Sequence, residues 1–221
     1  SYEVHSLGAD GGWFASSRQT YLRLRTQCNL SPEPDEFASA TGFAMDELSE
    51  RLTRATVPVR GAGNFDVVRS DFGEVLSYLV LEDSYNTEFA YQSVRDRELI
   101  PFAGRGIDAV GVERTEPPTL VLCETKVSDD NRSPPGVVDT SNDGLRAQHL
   151  GHLSDLLTAT TDKVWNCARF ARDGATQTLF FRVGALLQDG MLDELRIVSA
   201  CFLVRPTDRY SEADFGSFLD D

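Results

Sequence analysis

The chain has 221 residues, 41% of them hydrophobic and 25% charged, an ordinary balance for a globular protein with a substantial core. Its formal net charge of −14 argues against unaided binding of nucleic acid, because such binding depends on neutralising phosphates and releasing counterions. No apolar run approaches the roughly 18 residues of a membrane span, the first residues do not resemble a signal peptide, and the four cysteines lack paired spacing. We therefore expect a cytoplasmic protein without a membrane partner.

A small N-terminal α+β extension, with one strand and one helix, is predicted over residues 1–66. Residues 1–18 show no clear period, so we expect a loose arm there. Between residues 20 and 27 apolar and polar side chains alternate, which is typical of a half-buried strand. Ser31, as an N-cap followed by proline, then predicts one helix that continues to Leu52.

The main domain is predicted over residues 67–221, after a connection that contains glycine and proline. Its first helix is expected over residues 70–81, with Ser70 or Asp71 as the N-cap. Residues 89–100 mix strand-forming residues with charges, a pattern typical of an edge strand.

An antiparallel β-hairpin is predicted next. Residues 107–113 are rich in β-branched side chains, and Thr119–Val127 has the composition of a second strand. The two prolines after Glu116 cannot donate hydrogen bonds to a sheet, so they mark the turn between the strands.

Three chemically active side chains lie on this hairpin. Asp108 interrupts an apolar run in the first strand. Glu124 and Lys126 share one face of the second strand, because side chains alternate between the two faces. Folding back at the prolines brings Asp108 beside them, which gathers two carboxylates and one ammonium around one point.

The remaining elements complete a mixed α/β pattern. Residues 128–141 are too polar and proline-rich for regular structure, and a long loop beside such a cluster is often functional. A helix follows to about residue 160, with Asn142 or Asp143 as its cap. A last strand is predicted over residues 195–204.

Two histidines and an acidic tail follow the loop in the C-terminal part of the chain. His149 and His152 share a face of the helix after the loop, but no third zinc ligand is evident, so we expect surface or supporting positions for both. The tail, residues 211–221, carries Phe215 and Phe218 and is expected to dock a partner or to cover a groove.

The carboxylate pair points to a divalent cation. Two buried carboxylates repel each other, and oxygen ligands without histidine or cysteine suit Mg²⁺ or Mn²⁺ better than Zn²⁺. Only Lys126 and Lys163 among the 21 basic residues are lysine. An ammonium beside such a site can orient or deprotonate water, or stabilise charge on a phosphate, whereas arginine keeps its proton. The simpler alternatives are a hydrogen-bonding Asp108 and a surface Glu124–Lys126 ion pair.

The spacing of Asp108 and Glu124-Thr125-Lys126 resembles the D…ExK signature of the PD-(D/E)XK nuclease superfamily. The resemblance implies a restriction-endonuclease-like core, a mixed central sheet flanked by helices, in the order helix, three strands, helix, strand. It implies that Asp108, Glu124 and the backbone carbonyl of Thr125 bind the metal and that Lys126 acts on water. Glu74 of the preceding helix is expected to assist them as a fourth catalytic residue.

The amino-acid sequence around these residues is similar to that of the HamA proteins, the nuclease subunit of the Hachiman antiphage defence system. The similarity covers about residues 70–174 and includes Gly73-Glu74, Gly104–Val110 and Leu122–Lys126. It implies a Mg²⁺-dependent deoxyribonuclease with a DNA substrate and a HamB-like helicase partner, which would supply the nucleic-acid binding that the net charge disfavours. Two alternatives stay open: a catalytically inactive binding or scaffold protein of the same fold, and an acidic inhibitor that mimics DNA.

Overall fold

A four-stranded mixed β-sheet flanked by helices gives the chain an α/β fold. The computed structural model describes residues 3–7, 12–26, 34–57, 65–96, 106–139, 142–171 and 173–219. The strands are β1 Glu88–Gln92, β2 Ala109–Glu113, β3 Thr119–Val127 and β4 Arg196–Val204. They lie in the order β1-β2-β3-β4, with β1 and β3 antiparallel to β2, and β4 parallel to β3.

The helices surround this sheet and are numbered in chain order. They are α1 Gly12–Thr26, α2 Pro34–Thr41, α3 Met45–Thr56, α4 Phe65–Tyr85, α5 Ser93–Asp96, α6 Gly136–Asp139, α7 Leu145–Ser154, α8 Thr161–Phe170 and α9 Gly174–Gln188. A π-helical segment, Leu156–Thr160, separates α7 from α8. No helix in the described ranges is long and apolar enough to cross a membrane.

Each face of the sheet buries its own apolar cluster. On one face, Val110 and Leu122 pack with Val164 of α8 and Phe180 of α9. On the other face, side chains of β2 and β3 pack with Val75 and Tyr78 of α4. The alternation of side chains along β3 therefore sends Glu124 and Lys126 to the face of α8 and α9, and Thr125 to the face of α4.

The N-terminal extension differs from its prediction, because its described residues form helices and no strand. The loose arm and the strand expected up to residue 27 are both wrong where α1 lies. Alternation and helical periodicity overlap in this stretch, and the helical period wins because Ser17 and Leu24, two turns apart, are buried on one face. The division at residue 66 stays a prediction.

The single helix expected from Ser31 to Leu52 is wrong as well. Ser31 lies outside the described residues, and the chain beyond it forms α2 and α3 as separate helices. The break falls at Gly42, whose φ of 74° is a left-handed conformation that glycine adopts without strain.

Helix α4 begins before Ser70, so neither Ser70 nor Asp71 is its N-cap. The Asp71 carboxylate instead forms a buried ion pair with the Arg25 guanidinium of α1, and both side chains are almost fully buried. Gly73 lets α4 lie close to β3, since a Cβ at this position would be 2.3 Å from Cγ2 of Val127.

The hairpin β2–β3, the edge strand β1 and the last strand β4 confirm the predictions for the sheet. Strand β1 is shorter than expected, because residues 93–96 form α5, and residues 97–105 lie outside the described part. Helix α7 has Gly144 at its N-cap without a side-chain hydrogen bond, so the caps predicted at Asn142 or Asp143 are wrong.

Candidate functional site

Asp108 and Glu124 lie side by side at the end of the hairpin. The last register pair of β2 and β3 joins Ala109 to Cys123, so one further step sets Asp108 opposite Glu124 on the same face. Both the backbone and the side chain of Asp108 are held by β3. The Asp108 N–H donates to the Cys123 carbonyl at 3.1 Å, and Asp108 Oδ2 accepts from the Thr125 N–H at 2.8 Å. Asp108 is 9% exposed and Glu124 is 2% exposed, so neither carboxylate is freely hydrated.

Lys126 lies directly beside Glu124, as the period of the strand predicts. Its Nζ donates to Glu124 Oε1 at 2.8 Å, and 26% of the lysine side chain is exposed, against 3% for the glutamate. Burial would lower the pKa of Lys126, but the charges of Glu124, Asp108 and Asp143 outweigh it and raise that pKa. The lysine is therefore an ammonium at neutral pH and reaches toward solvent at the mouth of the site.

Glu74 supports the site from the opposite layer. Its Oε2 accepts hydrogen bonds from the Ser93 hydroxyl and from the Tyr78 hydroxyl, the latter at 3.0 Å. The Tyr78 hydroxyl also lies 3.2 Å from the Asp108 carbonyl oxygen, which accepts from the Ser93 N–H at 2.8 Å. Glu74 thus braces the backbone of Asp108 through two intermediaries.

The surroundings of Asp108 and Glu124 disfavour the charged form of both carboxylates. Burial raises the pKa of Asp108 well above its usual value, and the charges of Glu74 and Glu124 raise it further, against the Thr125 N–H and the Lys126 ammonium. Burial also raises the pKa of Glu124, although Lys126 and Lys163 lower it. A positive charge between the two carboxylates would relieve both effects.

One oxygen of the pair lacks a partner. Glu124 Oε2 is buried and has no hydrogen-bond partner in the described structure, which is costly for a carboxylate oxygen. Cross-strand neighbours with one free oxygen suit a small divalent cation that keeps several waters. The Thr125 carbonyl points to the same side of β3 as the Thr125 N–H bound by Asp108, because both groups of one residue face the same neighbour strand.

These donors fit Mg²⁺ or Mn²⁺ as a partial shell. Asp108, Glu124 and the Thr125 carbonyl would contribute oxygens, and water or substrate would complete the shell. No set of three or more His, Cys, Asp and Glu side chains in the described ranges could by itself hold an ion. Glu74 does not complete such a set with Asp108 and Glu124, because its hydrogen bonds to Tyr78 and Ser93 hold it in a supporting position.

Lys163 of α8 is a site residue that the sequence reasoning missed. Its Nζ donates to the Ile107 carbonyl at 3.2 Å and lies 3.8 Å from the centre of the Tyr91 ring. Burial lowers the pKa of Lys163, and the charges of Asp108 and Glu124 are among those that oppose this shift. The two lysines of the chain, Lys126 and Lys163, therefore both lie at this end of the hairpin. Their rarity was the signal that could have pointed to Lys163.

Helix α7 forms a further wall of the site, because it packs against β3 and β4. Leu145 and His152 are its buried residues and lie two turns apart on one face. Of the two positions expected for His152, surface or supporting, the surface position is wrong, since only 6% of the residue is exposed. Burial lowers the pKa of His152 to about 4, and the charges of His149, Lys163 and Lys126 act in the same direction.

The long loop after β3 is tied to the end of the chain. The guanidinium of Arg205 binds the Asp130 carbonyl and the Asp214 carboxylate, and the Ser133 hydroxyl donates to Asp214 at 2.9 Å. The tail then packs on the molecule itself, with the ring of Phe218 5.3 Å from that of His149. Within the described residues the tail therefore packs against α7, and its expected roles, docking a partner or covering a groove, stay predictions.

Comparison with known proteins does not place the chain in a group. No protein-family model, no curated protein and no solved structure matches it.

Proposed function

We propose that the chain is a Mg²⁺-dependent nuclease that hydrolyses phosphodiester bonds in DNA, with a PD-(D/E)XK site. The observation that carries the proposal is the end of the hairpin, where Asp108 and Glu124 lie opposite each other with the Lys126 ammonium on Glu124. The Glu124 Oε2 that has no hydrogen-bond partner among the described residues and the raised carboxylate pKa values support a cation at this point.

The order of elements supports a restriction-endonuclease-like core. Helix α4, strands β1, β2 and β3, helix α7 and strand β4 follow one another along the chain, with short or additional helices between them. This is the order of helix, three strands, helix and strand that the resemblance implies. The parallel pairing of β4 with β3 closes the core beside the strand that carries Glu124 and Lys126.

The metal would be held by Asp108, Glu124 and the Thr125 carbonyl. When bound, Mg²⁺ supplies Lewis-acid polarisation of a phosphoryl oxygen and lowers the pKa of bound water. Asp108 is kept in place for this role by the Thr125 N–H, and its backbone is kept in place by Tyr78 and Ser93. Glu74 contributes by fixing those two supporting residues.

Lys126 would orient water and stabilise the negative charge that grows on the phosphate. Its raised pKa favours these two roles over proton abstraction, because the ammonium keeps its proton at neutral pH. At about 4 Å and an effective dielectric near 20, its Coulomb attraction to one negative charge is about 4 kcal/mol. That free energy corresponds to roughly three decades in rate.

The net charge of −14 is the reason to propose a partner. Two lysines at the site are too few to offset the repulsion between an acidic chain and a polyanion. We propose a helicase subunit that holds the DNA, with this chain as the nuclease effector of an antiphage complex. The proposal rests on the charge and on the resemblance of the motif.

The test is a plasmid assay on the chain purified from its native host together with its bound partner. We expect nicking or linearisation with Mg²⁺ or Mn²⁺ and none with EDTA. Glu124→Gln and Lys126→Ala should lose most cleavage. Glu116→Gln is a matched control, because Glu116 is an exposed carboxylate in the turn of the same hairpin, paired with Arg182 at the surface.

The alternatives give different results in the same assay. An inactive scaffold leaves the plasmid intact with either metal. A DNA mimic leaves the plasmid intact and competes with DNA for the partner. Equal cleavage by wild type and Glu124→Gln would refute the assignment of the site even if the preparation were active.

A further inference from the structure

The buried imidazole of His152, at the wall of the candidate site, has no hydrogen-bond partner within the part of the chain that the structure describes. It is 6% exposed, and neither Nδ1 nor Nε2 has a partner among the described residues. A buried polar group without a hydrogen-bond partner destabilises the folded state, so such a group calls for a physical reason. The proposed chemistry does not use His152.

His152 lies on the face of α7 that packs toward the sheet. It shares the buried face of α7 with Leu145, and α7 packs on β3, the strand that carries Lys126. Lys163 and Lys126 both act on the ring electrostatically. His149, from the same helix, and Asp155, which follows α7, also act on the ring.

Once a divalent cation neutralises Asp108 and Glu124, the chemistry of this corner favours an anion. Burial keeps the imidazole of His152 uncharged by lowering its pKa, and the positive charges of Lys163 and Lys126 act in the same direction. An uncharged imidazole carries one N–H donor and one acceptor nitrogen. A phosphate oxygen attracted by the lysines would accept from that N–H and would satisfy a donor that the described residues leave unpaired.

We propose that His152 is a substrate-binding residue that donates a hydrogen bond to a phosphate oxygen drawn into the site by Lys126 and Lys163. The identification of this phosphate as part of a nucleic acid rests on the proposed function. The π-helical segment that separates His152 from Lys163 is in keeping with the role, because such segments are frequent at functional sites.

The test follows the imidazole itself. The chain has three histidines, so their Cε1–H resonances give a simple ¹H–¹³C spectrum, in which the variants of His152 assign one peak. Inorganic phosphate, added to the intact chain with Mg²⁺ present, should move the His152 peak saturably and leave the exposed His5 peak almost unchanged. A His152 peak that stays still throughout the titration would overturn the proposal.

Two substitutions separate binding from packing. His152→Leu removes the donor and should weaken phosphate binding about tenfold or more, while the melting temperature without phosphate stays equal or rises, since an unpaired buried polar group is removed. His152→Gln keeps an N–H donor and should retain most of the binding. Phosphate binding by His152→Leu at wild-type strength would contradict the inference.

Failure of the inference and failure of the proposed function can be told apart. If the wild-type complex cleaves DNA and the His152 peak does not move on addition of phosphate, the inference is wrong and the nuclease assignment stands. If the peak responds to phosphate but the wild-type complex never cleaves DNA with Mg²⁺ or Mn²⁺, the phosphate contact stands and the nuclease assignment is wrong.

Discussion

Asp108→Asn should stabilise the metal-free protein while it abolishes cleavage. The change removes a buried negative charge but keeps an oxygen that can accept the Thr125 N–H. Asp108 lies beside Glu124 and within reach of the charge of Glu74, and both charges disfavour its anion. The substitution therefore trades function for stability.

The magnitude follows from the geometry of the hairpin. Directly opposite residues of an antiparallel pair have Cβ atoms about 5 Å apart, and at that distance and a dielectric near 20 two like charges repel by about 3 kcal/mol. The Lys126 ammonium offsets part of this repulsion. We expect a gain of about 1–3 kcal/mol in the free energy of unfolding, or about 3–10 °C in Tm for a chain of this size.

The pH dependence has a definite sign. The folded-state pKa of Asp108 is raised, so the folded protein binds more protons than the unfolded chain between the unfolded pKa and the folded one. Stability from this group is therefore present at low pH and is lost as the pH rises through the folded pKa. Asparagine does not titrate, so the advantage of Asp108→Asn should grow from pH 5 to pH 8.

The assay is thermal unfolding across this pH range, with and without Mn²⁺, and Glu116→Gln is the control. Mn²⁺ should raise the Tm of wild type and of the control, because a ligand that binds only the folded state stabilises it, and should leave Asp108→Asn almost unchanged. A variant that melts below wild type without metal at pH 8, or that gains as much from Mn²⁺, would refute the reasoning.

Three further substitutions test the site and its support. Lys126→Met should lower the Tm, because it leaves the buried Glu124 carboxylate without this ion-pair partner, and should reduce the cleavage rate about a thousandfold in single-turnover assays; a reduction below tenfold would exclude its electrostatic role. Gly73→Ala should destabilise the fold, because the new methyl group would meet the branched side chain of Val127 at 2.3 Å, and urea unfolding with an unchanged midpoint would contradict that packing. Arg25→Leu should cost about 3–5 kcal/mol by leaving the Asp71 carboxylate buried without this partner, and adding Asp71→Leu should restore part of the loss, which a double-mutant cycle measures.

The sheet was predictable from local sequence because its signals are short-range. Two prolines after Glu116 mark the turn, β-branched residues mark both strands, and the period of the strand sets Glu124 and Lys126 on one face. Asp108 then follows from antiparallel pairing alone.

The helices were harder, because several of their features depend on tertiary contacts. Helix α1 resembles a strand in its alternation, and its helical face is apparent only once Arg25 meets Asp71 of α4. Asp71 has a residue type that favours a cap, but it lies inside α4, which begins at Phe65. Gly42, by contrast, was a visible break in the sequence, but the start signal at Ser31 led to the prediction of one continuous helix.

The wall of the site was missed because it comes from distant parts of the chain. Lys163 and His152 reach the hairpin end only through the packing of α7 and α8, and no spacing in the sequence encodes that packing. Residue types gave partial signals: lysine is rare in this chain, and histidine is rarely buried without partners.

Calorimetric titration with Mn²⁺ tests the central claim most directly, because the claim is that Asp108 and Glu124 share a divalent cation beside Lys126. The wild-type chain should show saturable binding that is lost in Asp108→Asn and in Glu124→Gln and kept in Glu116→Gln. Wild-type protein that binds no Mn²⁺, or carboxylate variants that bind it as tightly as wild type, would contradict the account.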